Sequence, residues 1–446
     1  MRVPTDSAAV SRSAPFPNTS ANRENVLLVI GAVAAIALRA ILVPMHGAWG
    51  DLDQYAGWVH RLATDLPFGA AYRLDMSYMP TLVAVYGTLA HVVPGFVTAT
   101  DASDLPVRVA LKVPPLLADG ACGAGVFLLV SGHLRGRVAA ALAVLLVPAT
   151  WYLSAWWGQY DTLYVAASLW VAVLAVRDHR IAAAVLLGLA LMTKPQALFL
   201  AIPFSAWMLA RWRASRGLGA VLLAGIVAAA TWLPFVASGG LADYLHNVEN
   251  YQDNLFPFLS VQAWNPWWLL QGVAGGNSFV MDSGAILGPL TPRMLGLVMT
   301  FVAEGLVALA VARDPTKERL LLGLTAASLV SFCLMTSMHE RYAYASLVFL
   351  APLLTRPAVR LAWATLAATV SLNIVAAAPP DQLPGSLIPL HGPVGVAGSL
   401  AMIVATVFVL ALLVRGGSGD PHPARSSVGT TPSPPPTDAW PTAPET

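Results

Sequence analysis

Three ionisable residues, His339, Glu340 and Arg341, stand side by side in the apolar stretch LMTSMHERYAYASLVFL (334–350). A charge at the centre of a membrane span costs about 2.5–3.5 kcal/mol. The triplet therefore belongs at a membrane edge or in a wet cavity. Polar residues interrupt apolar runs at five other places. GDLDQYAGWVHRLA (50–63) carries Asp51 and Asp53 ahead of Tyr55, Trp58 and Arg61. SAWWGQYDTLY (154–164) carries Gln159 and Asp161. LMTKPQALFLAIP (191–203) carries Lys194 and Gln196. LKVPPLLADG (111–120) places Lys112 and Asp119 inside a span, and LSVQAWNPWWLL (259–270) carries Trp264 and Asn265. The carboxylates suit a general base that takes a proton from a hydroxyl. Lys194, His339 and Arg341 suit a phosphate that leaves with negative charge. The aromatics suit sugar faces and prenyl chains.

Each cluster also has a plainer reading. Asp51, Asp53 and Asp161 could cap helices. The paired Trp residues could form an interfacial belt, Lys194 could snorkel to the interface, and the His-Glu-Arg triplet could end a helix through its own salt bridge. What lifts the set above its members is a shared side of the membrane.

That side follows from composition and charge. The chain has 446 residues, 57% of them hydrophobic and only 11% charged, whereas a soluble domain carries about a quarter charged residues. Lys and Arg are scattered between apolar runs, so no nucleic-acid partner is expected. Cys122 and Cys333 lie far apart and form neither a disulfide framework nor a metal-ligand spacing. Apolar runs fall near 26–44, 109–131, 138–154, 161–177, 181–193, 196–211, 217–236, 295–312, 318–336, 341–355, 358–378 and 393–414. They predict an all-α polytopic membrane protein of about twelve spans (eleven to thirteen), the first one uncleaved. The basic loops 133–137, 177–180, 211–216, 313–319 and 355–360 set the cytoplasmic face by the positive-inside rule. The polar clusters then fall on the outer face. Residues 78–95 must lie on that face rather than cross, since a crossing would invert every later loop. The organisation read from this is a cytoplasmic segment 1–25 and a membrane domain 26–414. That domain has a first external loop about 45–108, with membrane-surface helices, and a long external loop about 237–294. A Pro/Ser/Thr-rich tail, 415–446, is expected to be disordered. No Gly-rich nucleotide loop is apparent.

YMPTLVAVYG, LKVPPLLADG, WGQYDTLY, LMTKPQALFL, SVQAWNPWWLL and MHERY occur in that order over about 45–380. This ordered set resembles the C-type glycosyltransferase superfamily, in particular the bacterial mannosyltransferase-like branch related to GPI-anchor mannosyltransferases. The resemblance implies a multi-span fold with a large first external loop. It implies inverting transfer of a sugar, mannose first, from a polyprenyl-phosphate donor to a hydroxyl of a cell-envelope glycolipid or glycan. The active site would face outward from the plasma membrane. Asp51, Leu52, Tyr55 and Trp58 match the pattern around the catalytic base, with Asp53 the alternative; Asp161 matches the second acid. Lys194, His339 and Arg341 are assigned to the donor phosphate. Glu340, Gln159, Gln196, Lys112 and Asp119 support them, and Tyr55, Trp58, Tyr78, Trp264 and Asn265 contact acceptor or lipid. Met79 stands where the family commonly has Pro, and Gln262 where Asn is usual. No cofactor is required; Asp51, Asp53 and Asp161 are the groups that could hold a divalent metal. A flippase of lipid-linked sugars is the competing reading, though no internal repeat favours it. An inactive scaffold of the same fold ranks lower, because the acids and bases are all present.

Overall fold

The computed structural model describes residues 19–48, 50–380 and 387–415. Residues 1–18 of the N-terminal segment, the tail beyond 415 and residues 381–385 of an expected outer loop lie outside the described residues. Among the described residues, eighteen α-helices follow in order. They are α1 Thr19–Leu42, α2 Asp51–Thr64, α3 Pro80–Val92, α4 Leu105–Leu129, α5 Leu134–Leu146, α6 Pro148–Trp151, α7 Asp161–Val176, α8 Arg180–Leu191 and α9 Ala197–Arg211. Then come α10 Arg213–Ala230, α11 Leu233–Val236, α12 Gly240–Asn250, α13 Pro266–Gly275, α14 Pro292–Arg313, α15 Lys317–Leu334, α16 Tyr344–Leu350, α17 Pro357–Ala377 and α18 Gly392–Arg415. Only isolated bridges stand in for sheet among the described residues.

Every run expected to cross the membrane falls on a helix. Six helices are long and apolar enough to cross alone, and the α5–α6 pair, bent by 52°, would make a seventh. Pro148, with no N–H to continue the α5 ladder, marks the bend. Helices α7, α8, α9 and α16 are shorter than a lone span needs and pack among neighbours: α7 between α4 and α8, α9 against α10, α14 and α15.

The segment 78–95 forms α3, thirteen residues long. At 1.5 Å per residue it reaches about 20 Å, short of the roughly 30 Å hydrocarbon core. It packs on α2 instead. Leu52, Tyr55, Trp58 and Val59 of α2 recur at helical spacing and bury against Leu82, Val83 and Tyr86 of α3. The α2–α3 segment thus has its own core, joined by Tyr160, Phe235 and Tyr244 from later segments. Tyr55 and Trp58, expected to meet acceptor or lipid, are 2% and 7% exposed within it. Tyr55 meets the Tyr160 ring edge-on at 5.5 Å, and Trp58 Nε1 donates to Asp75 at 2.7 Å.

Two buried charges on α4 tie it to neighbouring segments. Lys112 Nζ donates to the carbonyls of Met45, Ala155 and Trp156 at 2.5, 2.9 and 2.7 Å. Asp119 Oδ2 accepts from Arg39 Nη2 at 2.8 Å and from Ser154 Oγ at 2.5 Å. Both pairings clamp the π-turn Tyr152–Trp157, which follows α6, onto α4. Trp264 and Asn265 are likewise structural. Trp264 Nε1 donates to Leu390 O at 3.0 Å, and Asn265 caps α13 through Trp268 N at 3.0 Å while donating to Phe332 O at 2.9 Å. They are buried away from the cavity described below.

Lys112→Met leaves three carbonyls without their donor. A buried group without a partner costs about 1–3 kcal/mol, so the unfolding midpoint of the purified variant should drop by several degrees or more. An unchanged midpoint would remove the clamp role.

Candidate active site

Four connections meet at one end of the bundle: the start of α2, the α6–α7 turn, the α8–α9 turn and the α15–α16 turn. At their centre is a cluster of buried charge. Asp161, first residue of α7, is fully buried. Lys194 Nζ donates to its Oδ1 at 2.8 Å, and Arg341 Nε approaches its Oδ2 at 3.4 Å. Arg341 Nη1 donates to Glu340 Oε1 at 2.7 Å. The guanidinium lies 5.2 Å from the Trp157 ring centroid and 5.6 Å from that of Tyr342; the Lys194 ammonium lies 5.0 Å from Tyr342. Burial pushes Lys194 below its ordinary value and Glu340 above its own, each held back by its opposite charge. Burial, with Arg341 and Lys194 close by, holds His339 well below the usual imidazole value, so its ring is neutral.

Asp51, half-buried, is the first residue of α2 and feels the charges of Arg341 and Lys194. Its Oδ2 accepts from Trp157 Nε1 at 3.0 Å and from Gln159 Nε2. Gly158, at φ 82°, lets the two donors flank one turn, and a Cβ there would come within 2.6 Å of Leu52. Burial pushes the Asp51 carboxyl above its ordinary range, against the pull of Arg341, of both donors and of Lys194. A carboxylate so placed is a stronger base than one in water. Asp53 is exposed, and its Oδ1 accepts from Ala102 N at 2.9 Å. It pins the loop ahead of α4. Asp51, Asp53 and Asp161 do not converge, and no group of three or more metal-ligating side chains occurs among the described residues.

Beside the charges opens a cavity of about 300 Å³. Lys194, Gln196, Tyr78, Ser77, Tyr251 and Arg341 line its polar end. Leu198, Phe199 and Ile202 of α9, with Phe301 of α14, line an apolar arm. The Gln196 Oε1 is buried without a partner. Tyr78 Oη is 3.0 Å from Tyr55 Oη, which in turn donates to Gln159 Oε1 at 3.4 Å. His339 does not line the cavity; Tyr251, whose hydroxyl is 2.9 Å from His339 Nε2, does. Tyr251 and the Asp51-binding role of Trp157 escape sequence reasoning. Tyr251 meets His339 across 88 positions, and the Trp156–Trp157 pair reads as an interfacial belt.

The site thus joins a half-buried carboxylate, two buried cations at a cavity and an apolar lining from α9 and α14. The chain belongs to the ALG6, ALG8 glycosyltransferase family, which it matches over residues 123–377. That span holds Asp161, Lys194, Gln196, Tyr251 and the His339–Arg341 triplet, and begins after Asp51. The glycosyltransferase resemblance of the motifs is thereby borne out. No curated protein matches the chain. Two solved structures are similar: ArnT from Cupriavidus metallidurans in the apo state, 16% identical, TM-score 0.46, covering 89% of this chain and 78% of that one. The other is the oligosaccharyltransferase AglB from Archaeoglobus fulgidus with an inhibitory peptide and a dolichol-phosphate, 13% identical, TM-score 0.42, covering 89% of this chain and 56% of that one.

Two outcomes follow. Gln159→Leu removes a donor that lowers the Asp51 value, so the acid limb of the transfer-rate profile should move to higher pH, by about one unit. A limb that stays in place would separate Asp51 from proton transfer. Asp53→Ala should retain transfer while losing about 1 kcal/mol of stability; an inactive but folded Asp53→Ala would move the base two residues along.

Proposed function

We propose that the protein transfers a sugar, with inversion, from a polyprenyl-phosphate carrier to a hydroxyl of a cell-envelope glycolipid or glycan at the outer face of the plasma membrane. The carrying observation is the shape and charge of the cavity. Lys194 and Arg341 line its polar part, and Leu198, Phe199, Ile202 and Phe301 line an apolar part between α9 and α14, with Leu198 and Phe301 exposed on the bundle surface. A phosphate fits the cations and a prenyl chain fits the apolar part. Asp51 takes the proton of the acceptor hydroxyl as its oxygen attacks the anomeric carbon opposite the phosphate. The bond to phosphate breaks, and the leaving phosphate keeps the electron pair, stabilised by the two cations. Asp161 and Glu340 hold those cations in position. Mannose is the first sugar to test, on the strength of the motif resemblance.

Sidedness rests on helix polarity. Helix α7 runs from Asp161 to the basic RDHR turn, α9 from the Lys194 turn to RWRASR, and α15 from RDPTKER to the MHERY segment. In each, the site and a basic loop lie at opposite ends, and the positive-inside rule puts the site outside.

The test uses purified protein in nanodiscs with radiolabelled polyprenyl-phosphate mannose, a membrane-lipid extract as acceptor and no nucleotide sugar. Wild type should move label into a new product, and Asp51→Ala should do so about 10²–10⁴-fold more slowly. Donor movement across liposomes without any product would favour the flippase reading instead.

A further inference from the structure

The mechanism above leaves His339 behind the cavity wall and Tyr251 on it. Tyr251 opens a π-turn, Tyr251–Leu255, that ends α12 in the long outer loop. Its ring packs 4.8 Å from that of Phe256, which itself lies 4.8 Å from the His339 ring. The Tyr251 oxygen is 2.9 Å from His339 Nε2. The other imidazole nitrogen, Nδ1, is 3.5 Å from Arg341 Nη1 and 3.8 Å from Glu340 Oε2. A guanidinium is always a donor, and the carboxylate lies beyond hydrogen-bond reach. Nδ1 therefore carries the lone pair, and the single proton of the ring sits on Nε2, donated to the Tyr251 oxygen. The Tyr251 oxygen also meets the Tyr342 hydroxyl on the same cavity wall; with Tyr342 donating to it, the hydroxyl proton of Tyr251 is left for the cavity.

A second network fixes the turn. Arg293 Nη1 donates to Asp253 Oδ1 at 2.5 Å and Nη2 to Gln252 O at 3.1 Å, both in the turn that Tyr251 opens. The same guanidinium donates to Asp282 through Nη2 at 2.8 Å and Nε at 3.1 Å. Asp282, fully buried, also accepts from Thr336 Oγ1 at 2.7 Å and Ser337 Oγ at 3.1 Å. Those two residues lead into His339. Ser337 holds φ 58° and donates its N–H to Phe258 O at 3.0 Å. One arginine thus ties the turn bearing Tyr251 to the segment bearing His339.

We propose that Tyr251 is a ligand of the donor phosphate: its hydroxyl, oriented by His339 and held in register by the Arg293–Asp282 latch, donates a hydrogen bond to a phosphate oxygen beside Lys194 and Arg341. This rests on the reading of the cavity as the donor site. It assigns His339 an indirect part, since the ring reaches the phosphate only through the tyrosine. It also makes the long outer loop a wall of the donor site.

The test measures binding of undecaprenyl phosphate, and of undecaprenol without the phosphate, to the full chain in nanodiscs. Tyr251→Phe keeps the ring and removes the hydroxyl. It should weaken undecaprenyl phosphate roughly tenfold and leave undecaprenol unchanged. Arg293→Gln should also weaken the phosphate lipid, with no further loss when combined with Tyr251→Phe. Unchanged phosphate binding in Tyr251→Phe, or an equal loss for both lipids, would overturn the assignment while leaving the donor site standing. Additive losses in the double variant would overturn the latch. Wild type that binds both lipids alike would overturn the donor site, and the tyrosine with it.

Discussion

The structure turns on burying opposite charges at one end of an apolar bundle. Asp161, Lys194, Glu340 and Arg341 are each less than 10% exposed, and none can be buried ionised alone. Removing one member of a buried pair costs about 3–5 kcal/mol, so the four segments that carry them must arrive together. Asp161 starts α7, Lys194 fills the α8–α9 turn, and Glu340 and Arg341 fill the α15–α16 turn. Holding these turns in register sets where α7, α9 and α15 lie relative to one another. The cavity is the space left beside them, between the α9 turn and α14. The acids hold both cations in place, as a preorganised site for the proposed phosphate requires.

Asp51, the proposed base, comes to this cluster from a separate layer. It rides on an amphipathic helix whose buried face forms an aromatic core with α3. Lys112 holds Met45, ahead of that helix, against the π-turn after α6. These residues lie in the region ahead of the family match. Trp157 joins the two halves: its N–H holds Asp51 and its ring lies against the Arg341 cation. A change at this one side chain would disturb Asp51 and Arg341 together.

Much of this was legible in the sequence. The helical class and the apolar runs follow from hydropathy. The order of the motifs pointed to a glycosyltransferase. Asp161, Lys194, Glu340 and Arg341 come together because interrupted apolar runs needed a common remedy. Less legible was what each polar group does. Lys112 and Asp119 read as site residues, since buried charge in a span is usually functional; their partners are backbone carbonyls and an arginine from α1, which no spacing reveals. Trp264 and Asn265 read as ligand contacts and instead hold α13 and the chain before α18. The motif pattern ranks Asp51 ahead of Asp53, and on α2 the two meet different partners. Tyr251, Asp282 and Arg293 sit in a long polar loop whose pairings span 11 to 88 positions, beyond any local pattern.

The central claim is that the charged cavity between α9 and α14 holds the phosphate of a lipid-linked sugar. A cryo-EM map of the protein in nanodiscs with added undecaprenyl phosphate tests it most directly. The account predicts phosphate density between Lys194 and Arg341, and chain density along Phe199, Ile202 and Phe301. Lipid phosphate seated elsewhere, such as the groove beside Trp268 and His391, with this cavity empty, would contradict it.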